Sequence, residues 1–218
     1  MGAMEFELGI IVDERGKTMA SQEERMLAGK LYNVYDKDLA KKYERKDNLL
    51  HRINFPQAGM DPQAELKQLI GKMGKNSYIE PPFFCDFGEN ITVGDDFYCN
   101  TNAIFLDSGK ITIGSRVLIG PRVSLFAAGH PIDAGVRNKW LGFGKPVTIG
   151  DDVWIGGSTV VNLGVTIGSN VVIGSGSVVT HDIPDNVVAV GNPCHVLRKI
   201  TEDDKQEWQA QYRDYQAD

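Results

Sequence analysis

Cysteine and histidine are scarce in this sequence. Its 218 residues hold three of the first and four of the second, and Cys85, Cys99 and Cys194 stand far apart with no CxxC pair. An odd, dispersed set fits neither a disulfide framework nor a thiolate zinc site, and reads as packed, reduced thiols of a cytoplasmic protein. A basic excess is also missing: 23 Lys and Arg face 29 Asp and Glu, for a net charge of -6. The cations are scattered, with no stripe along which phosphates could track, so nucleic acid is not an expected partner. No run approaches the roughly 18 apolar residues of a membrane span, and no signal-like apolar stretch opens the chain, so no membrane association is expected.

What is present falls into unequal parts. Met1 to Thr18 carry no hydrophobic period and precede a second possible start at Met19, so 1–18 are expected to be a leader outside the fold. Ser21-Gln22-Glu23-Glu24 has the form of a helix N-cap with acidic residues in the first turn. Met26, Leu27, Leu31 and Val34, then Leu49, Leu50 and Ile53, recur at helical spacing. After a break at 56–62, Ala64 to Met73 predicts a further short helix ending at Gly74. Residues 19–76 are thus expected to form an N-terminal helical cap.

Beyond Ser77 the period changes to six. Ile149, Ile155, Val161, Ile167, Ile173 and Val179 each follow the last by six positions, and nearly every one precedes a glycine or another turn-forming residue. A second series runs two positions upstream: Val147, Val153, Thr159, Val165, Val171 and Ser177. Ile113, Ile119 and Leu125 keep the step, but from Phe105 to Ile113 it is eight, so about two residues should bulge there. Such a repeat describes a short strand, a sharp bend that needs positive φ or close backbone approach, and another short strand. Three sides close a coil, and stacked coils place aliphatics in internal ladders. At about 1.5–3 kcal/mol for each buried aliphatic, one coil cannot offset the ordering of its residues at ~1–2 kcal/mol each. Stacking and a capped end are therefore required, and 77–200 are expected to be a parallel β-helix. An antiparallel sandwich, with strands alternating by two, does not account for six equal steps.

The repeat lapses after Leu125 and resumes at Val147. The Gly- and Pro-containing stretch between, 127–146, is expected to leave the coil as a loop bearing His130 between Gly129 and Pro131. Residues 201–218, charged and aromatic at helical spacing, read as a short tail packed on the last coil or on a neighbour.

Several phrases resemble the galactoside and maltose O-acetyltransferases of the hexapeptide-repeat superfamily: Ala28-Gly29-Lys30-Leu31-Tyr32, Pro81-Pro82-Phe83, Gly129-His130-Pro131, Gly144 to Gly150, Val153-Trp154-Ile155-Gly156-Gly157 and Gly191-Asn192-Pro193. The resemblance implies a left-handed parallel β-helix, although parallel crossovers in general favour the right hand. It also implies a homotrimer with active sites between subunits, and acetyl transfer from acetyl-CoA to a sugar hydroxyl without a metal. His130 becomes the general base, since an alcohol is too weak an acid to attack a thioester unaided at neutral pH. Asp36, Asp86, Asn100 and Asp107 become acceptor-binding residues, with Val34 as the alternative to Asp36. Gly157, Ser175, Thr180, His181 and Arg198 become the acetyl-CoA groove. Relatives carry serine where Gly157 stands, so here a backbone N–H would have to meet the oxyanion; they usually carry lysine where His181 stands.

Other functions stay open at this level. A zinc enzyme on the same scaffold, of the gamma-type carbonic anhydrase kind, needs three convergent histidines, and His130, His181 and His195 are not spaced by whole coils. A non-catalytic scaffold would not need the interrupted coil. An antibiotic or serine acceptor in place of a sugar is excluded by nothing in the spacing.

Overall fold

The computed structural model describes residues 20–217; the expected leader lies outside them. The cap begins as the sequence reads. Helix α1, Gln22–Leu27, opens on a capping box in which the Ser21 hydroxyl accepts the Glu24 N–H and the Glu24 carboxylate accepts the Ser21 N–H. It stops earlier than the spacing of Leu31 and Val34 predicts. Gly29 turns the chain at φ +70°, packed so closely on the Gly144 carbonyl that a β-carbon would stand 3.2 Å from it, and Tyr32–Asn33 is a strand. Helix α2, Lys37–Asn54, and helix α3, Pro62–Leu69, follow, the latter with Asp61 as N-cap and proline in its first turn. The helix predicted to reach Met73 ends at Leu69, because Lys72–Met73 is already the first rung of the sheet below.

Leu49, Leu50, Ile53, Leu66 and Leu69 join the same buried cluster as Ile79 and Phe83 in the first coil. Two side-chain amides finish the seal. Asn54 donates to the Phe83 carbonyl at 2.8 Å and accepts its N–H at 2.9 Å. Gln63 does the same for Ile79, at 2.8 and 3.3 Å. Each amide stands in for the peptide of a missing strand, so the sheet edge is satisfied without another coil.

Three parallel faces carry the chain onward. The first runs through Lys72–Met73, Ile91–Val93, Ile111–Ile113, Val147–Ile149 and Thr166–Ile167. The second runs through Tyr78–Ile79, Tyr98–Cys99, Leu118–Ile119, Trp154–Ile155, Val172–Ile173 and Val187–Gly191. The third runs through Phe83–Cys85, Ala103–Leu106, Ser124–Phe126, Val160–Val161 and Val178–Val179. Inward ladders such as Ile91, Ile111 and Val147 are fully buried. Outward residues differ by face: Thr92, Thr112, Thr148 and Thr166 stack on the first, Tyr98, Leu118, Trp154 and Val172 stack on the second, and Ile104, Ser124, Val160 and Val178 stack on the third.

Register corrects the spacing at one corner. The bulge expected between Phe105 and Ile113 recurs one coil below, between Cys85 and Val93, whose partners are those two residues. Both wide turns lie where the third face returns to the first. At that corner of the next coil the chain leaves the stack only after Ala127, which stays buried in the core, and rejoins it at Val147, so one edge is widened twice and then opened. Elsewhere the glycines serve close approach more than positive φ: a β-carbon on Gly114 would stand 2.6 Å from the Gly150 carbonyl oxygen, while the left-handed conformation falls two residues later, at Asp96, Arg116 and Asp152.

The excursion is an arm with its own pairing. Ala128–Gly129 pairs antiparallel with Leu141–Gly144, and Tyr32–Asn33 of the cap adds a third strand. A single helical turn, Ala134–Arg137, forms α4 at its tip. After the last coil, Cys194–Lys199 doubles back antiparallel on Val187–Gly191, and helix α5 spans Glu202–Tyr215. No residue of α5 is buried, so the tail does not settle on its own coil, one of the two packings expected of it. Among the described residues no helix is long and apolar enough to cross a membrane.

Candidate functional site

His130 follows the strand Ala128–Gly129 at the base of the arm. Gly129 must stay small, since a β-carbon would meet Leu163 Cδ1 at 3.0 Å and Phe143 Cζ at 3.2 Å. Across the arm, His130 Nδ1 lies 3.0 Å from the Leu141 carbonyl oxygen. A carbonyl only accepts, so Nδ1 carries the proton and donates, and Nε2 keeps a free lone pair. The ring is exposed and oriented: a base with its accepting nitrogen turned away from the backbone.

It faces a groove of about 460 Å³ between cap and coil, lined by Tyr32, Val34, Tyr35, Tyr43, Asp86, Ser108 and Trp140. Beneath runs a chain of polar contacts in which the Tyr32 hydroxyl donates to Ser108 Oγ at 3.1 Å and Ser108 donates to Asp86 Oδ2 at 3.2 Å. Burial pushes the Asp86 carboxyl up from its ordinary range, against the pull of the Ser108 hydrogen bond and the Lys46 charge. Burial raises the Tyr32 and Tyr43 phenols as well. The groove therefore offers hydroxyls and one carboxylate among aromatic walls, which suits a small molecule rich in hydroxyl groups.

Asp107 does not line it. Its side chain is fully buried and accepts the N–H groups of Asp86 at 3.1 Å, Phe87 at 2.8 Å and Asn90 at 3.2 Å, across the wide corner. Burial pushes its pKa up to about 6, outweighing those bonds. Its place is under the site, holding the backbone that presents Asp86. Asp36 is likewise engaged elsewhere: it caps α2, with Oδ1 accepting the N–H groups of Asp38 and Leu39, and Val34 is the residue that reaches the groove.

Asn100, Gly157 and Ser175 lie on a different edge, where the second face turns into the third. They line a groove of about 440 Å³ with Tyr98, Leu118 and Trp154. Among the described residues the Gly157 N–H meets no acceptor. Thr180 Oγ1 sits 2.9 Å from His181 Nδ1 at the other corner of the coil that carries Ser175, where the third face returns to the first. Arg198 forms a two-point ion pair with Asp204, at 2.7 and 2.8 Å. Within one chain His130 shares a groove with Asp86 but not with the Asn100 and Gly157 group, and the third face separates the two grooves. The sequence reading missed Tyr35, Tyr43, Ser108 and Trp140. Ser108 was legible as the neighbour of Asp107, whereas nothing in the hexad pattern marks the two cap tyrosines or the arm tryptophan. Among the described residues no three His, Cys, Asp or Glu side chains gather as metal ligands would.

Residues 146–181 match the family model "Bacterial transferase hexapeptide (six repeats)", and residues 25–74 match "Maltose acetyltransferase hexapeptide capping motif". A putative acetyltransferase of Saccharomyces cerevisiae is 48% identical over 83% of this chain and 94% of its own length. The crystal structure of a maltose O-acetyltransferase from Clostridium difficile is 47% identical, covers 84% of this chain and 98% of that one, and superposes with a TM-score of 0.81. A galactoside acetyltransferase solved in complex with coenzyme A is 41% identical over 86% and 94% of the two chains, with a TM-score of 0.82.

Proposed function

The chain belongs to the hexapeptide-repeat family of maltose and galactoside O-acetyltransferases, and from that premise we propose that it moves acetyl from acetyl-CoA to a sugar hydroxyl with His130 as general base. The observation that carries the reading is the hydrogen bond from His130 Nδ1 to the Leu141 carbonyl, which leaves Nε2 free to accept a proton beside a groove lined with hydroxyls and Asp86. The acceptor oxygen attacks the thioester carbonyl as its proton passes to Nε2. A C–O bond forms, the C–S bond breaks, and the proton continues to the departing thiolate. A base so placed is worth ~10²–10⁴ in rate, and alignment of the two substrates adds more. The free Gly157 N–H is the proposed donor to the oxyanion.

That donor stands on another edge, so the reading includes three copies, each setting its second-to-third-face edge against a neighbour's arm. The outward residues support this, since the two faces flanking that edge carry Leu118, Trp154, Val160 and Val178 where the first carries threonines. Acetyl-CoA would then lie along the later coils, past Gly157 and Ser175 toward Thr180 and His181. Arg198 would reach phosphate only by sharing itself with Asp204. A sugar is favoured over an antibiotic or serine acceptor because the maltose acetyltransferase capping motif supplies the Tyr32 wall. Three free, buried cysteines accord with a cytoplasmic location.

The test is release of free CoA from acetyl-CoA with glucosides, galactosides or maltose as acceptor. His130→Ala is expected to lower turnover by ~10²–10⁴ and leave the thermal midpoint in place, since the ring is exposed. Full turnover by that variant removes His130 from the mechanism.

A further inference from the structure

Trp140 stands in a conformation that a bulky side chain rarely takes. Its φ is 60°, in the left-handed region where glycine would sit without strain, and strain of that kind is commonly kept where a side chain is used. The indole is not spent on the core, for it is 60% exposed. Its one aromatic neighbour among the described residues is Tyr35, edge to face at 5.4 Å between ring centroids. It immediately precedes Leu141, whose carbonyl orients His130, so indole and imidazole are fixed by adjacent peptides. A second cavity, of about 370 Å³, is lined by His130, Arg137, Asn138 and Trp140. Among the described residues only His130 and Trp140 line both cavities.

We infer that Trp140 forms the wall between two subsites, and that the acceptor is a glycoside long enough to occupy both. This rests on the proposed acetyl transfer to sugars. The ring to be acetylated lies in the polar groove over Asp86 and Ser108. The group across the glycosidic bond lies against the indole in the second cavity, with Asn138 at hand for a hydroxyl. What the indole selects is a flat apolar face, offered equally by an aryl aglycone or by the C–H side of a second pyranose.

Initial rates and direct binding should be compared for methyl glucoside, p-nitrophenyl glucoside and maltose, with calorimetry on the CoA-loaded protein. The wild type is expected to favour one or both extended acceptors over methyl glucoside by about ten-fold or more in kcat/KM and in Kd. In Trp140→Ala and Trp140→Gly that ratio should fall toward one, with the KM for acetyl-CoA unmoved, while Trp140→Phe keeps most of it. Preference for the aryl glucoside alone assigns an aromatic aglycone, and preference for maltose assigns a second sugar. Trp140→Gly suits the local φ, so its thermal midpoint should be no lower than the wild type's, and a lost preference cannot then be laid to unfolding. Equal handling of short and extended acceptors by the wild type, or an undiminished preference in Trp140→Ala, overturns the second subsite. Tight binding of extended glycosides that depends on Trp140, without any acetylation, would leave the subsite standing and overturn the proposed reaction instead.

Discussion

Asp107→Asn tests whether a buried charge holds the corner from which Asp86 enters the groove. The folded carboxyl has its pKa raised from 3.8 to about 6 by burial. Below about pH 4 the group is neutral in both folded and unfolded chains; near pH 7 it is ionised in both. Because the folded value lies above the unfolded one, its contribution to stability is fullest below pH 4 and is lost as pH rises to 6. A gap of about 2 units at about 1.4 kcal/mol each makes that loss about 3 kcal/mol. Asparagine does not titrate. Its carbonyl can still accept the Asp86 and Phe87 N–H groups, but its NH₂ faces the Asn90 N–H that Oδ2 now accepts. Forfeiting that bond costs ~1–3 kcal/mol at every pH. Urea unfolding of both proteins at one fixed concentration, from pH 4 to pH 7, should find the variant the weaker at pH 4 and gaining on the wild type by about 2 kcal/mol on the way up, the rest of the loss lying below pH 4. Other carboxyls, Asp86 included, titrate in both proteins and largely drop out of the difference. A flat difference, or one that widens with pH, would refute the assignment of a strained buried carboxylate.

Two further substitutions probe the same region. Ser108→Ala removes the hydroxyl between Tyr32 and Asp86; the acceptor KM should rise several-fold while the KM for acetyl-CoA stays put, and steady-state kinetics with each substrate varied in turn will separate the two. Gly144→Ala would force a β-carbon to 2.6 Å from the Gly109 nitrogen and 2.7 Å from the Ser108 carbonyl oxygen. Neither backbone can yield cheaply, so the thermal midpoint should fall by several degrees and acceptor binding weaken with it; an unchanged midpoint would mean the arm is free to lift off the coil.

The coil was legible because its physics is local and repeated. One aliphatic every six residues, with a small residue after it, leaves few folds to consider, and Ile149 to Val179 carried that signal without a break. The cap was half legible. The capping box at Ser21 was visible in four letters, but the end of α1 was not, because Gly29 is placed by the Gly144 carbonyl more than a hundred residues away. The candidate site was legible where one motif fixes a residue's place, as with His130 at the base of the arm. It was illegible where the partner is a backbone atom or lies in another layer. Asp107 reads as a groove carboxylate in sequence and turns out to face inward, since only the three-dimensional corner reveals the N–H groups waiting for it. Likewise no spacing rule assigns Asn100 and His130 to different edges, because a six-residue step marks a side of the coil without saying which corner a loop will open.

A stack of identical rungs is in principle a fibre, able to add a further copy at either end. Here the first rung is stoppered by the Asn54 and Gln63 amides, and on the second face the last is turned back by the Cys194–Lys199 return. Growth along the axis is thereby discouraged, and what remains available for self-association is the flank. Both ends are thus closed by the chain's own groups, so a repeat that could in principle polymerise is held to a fixed number of coils.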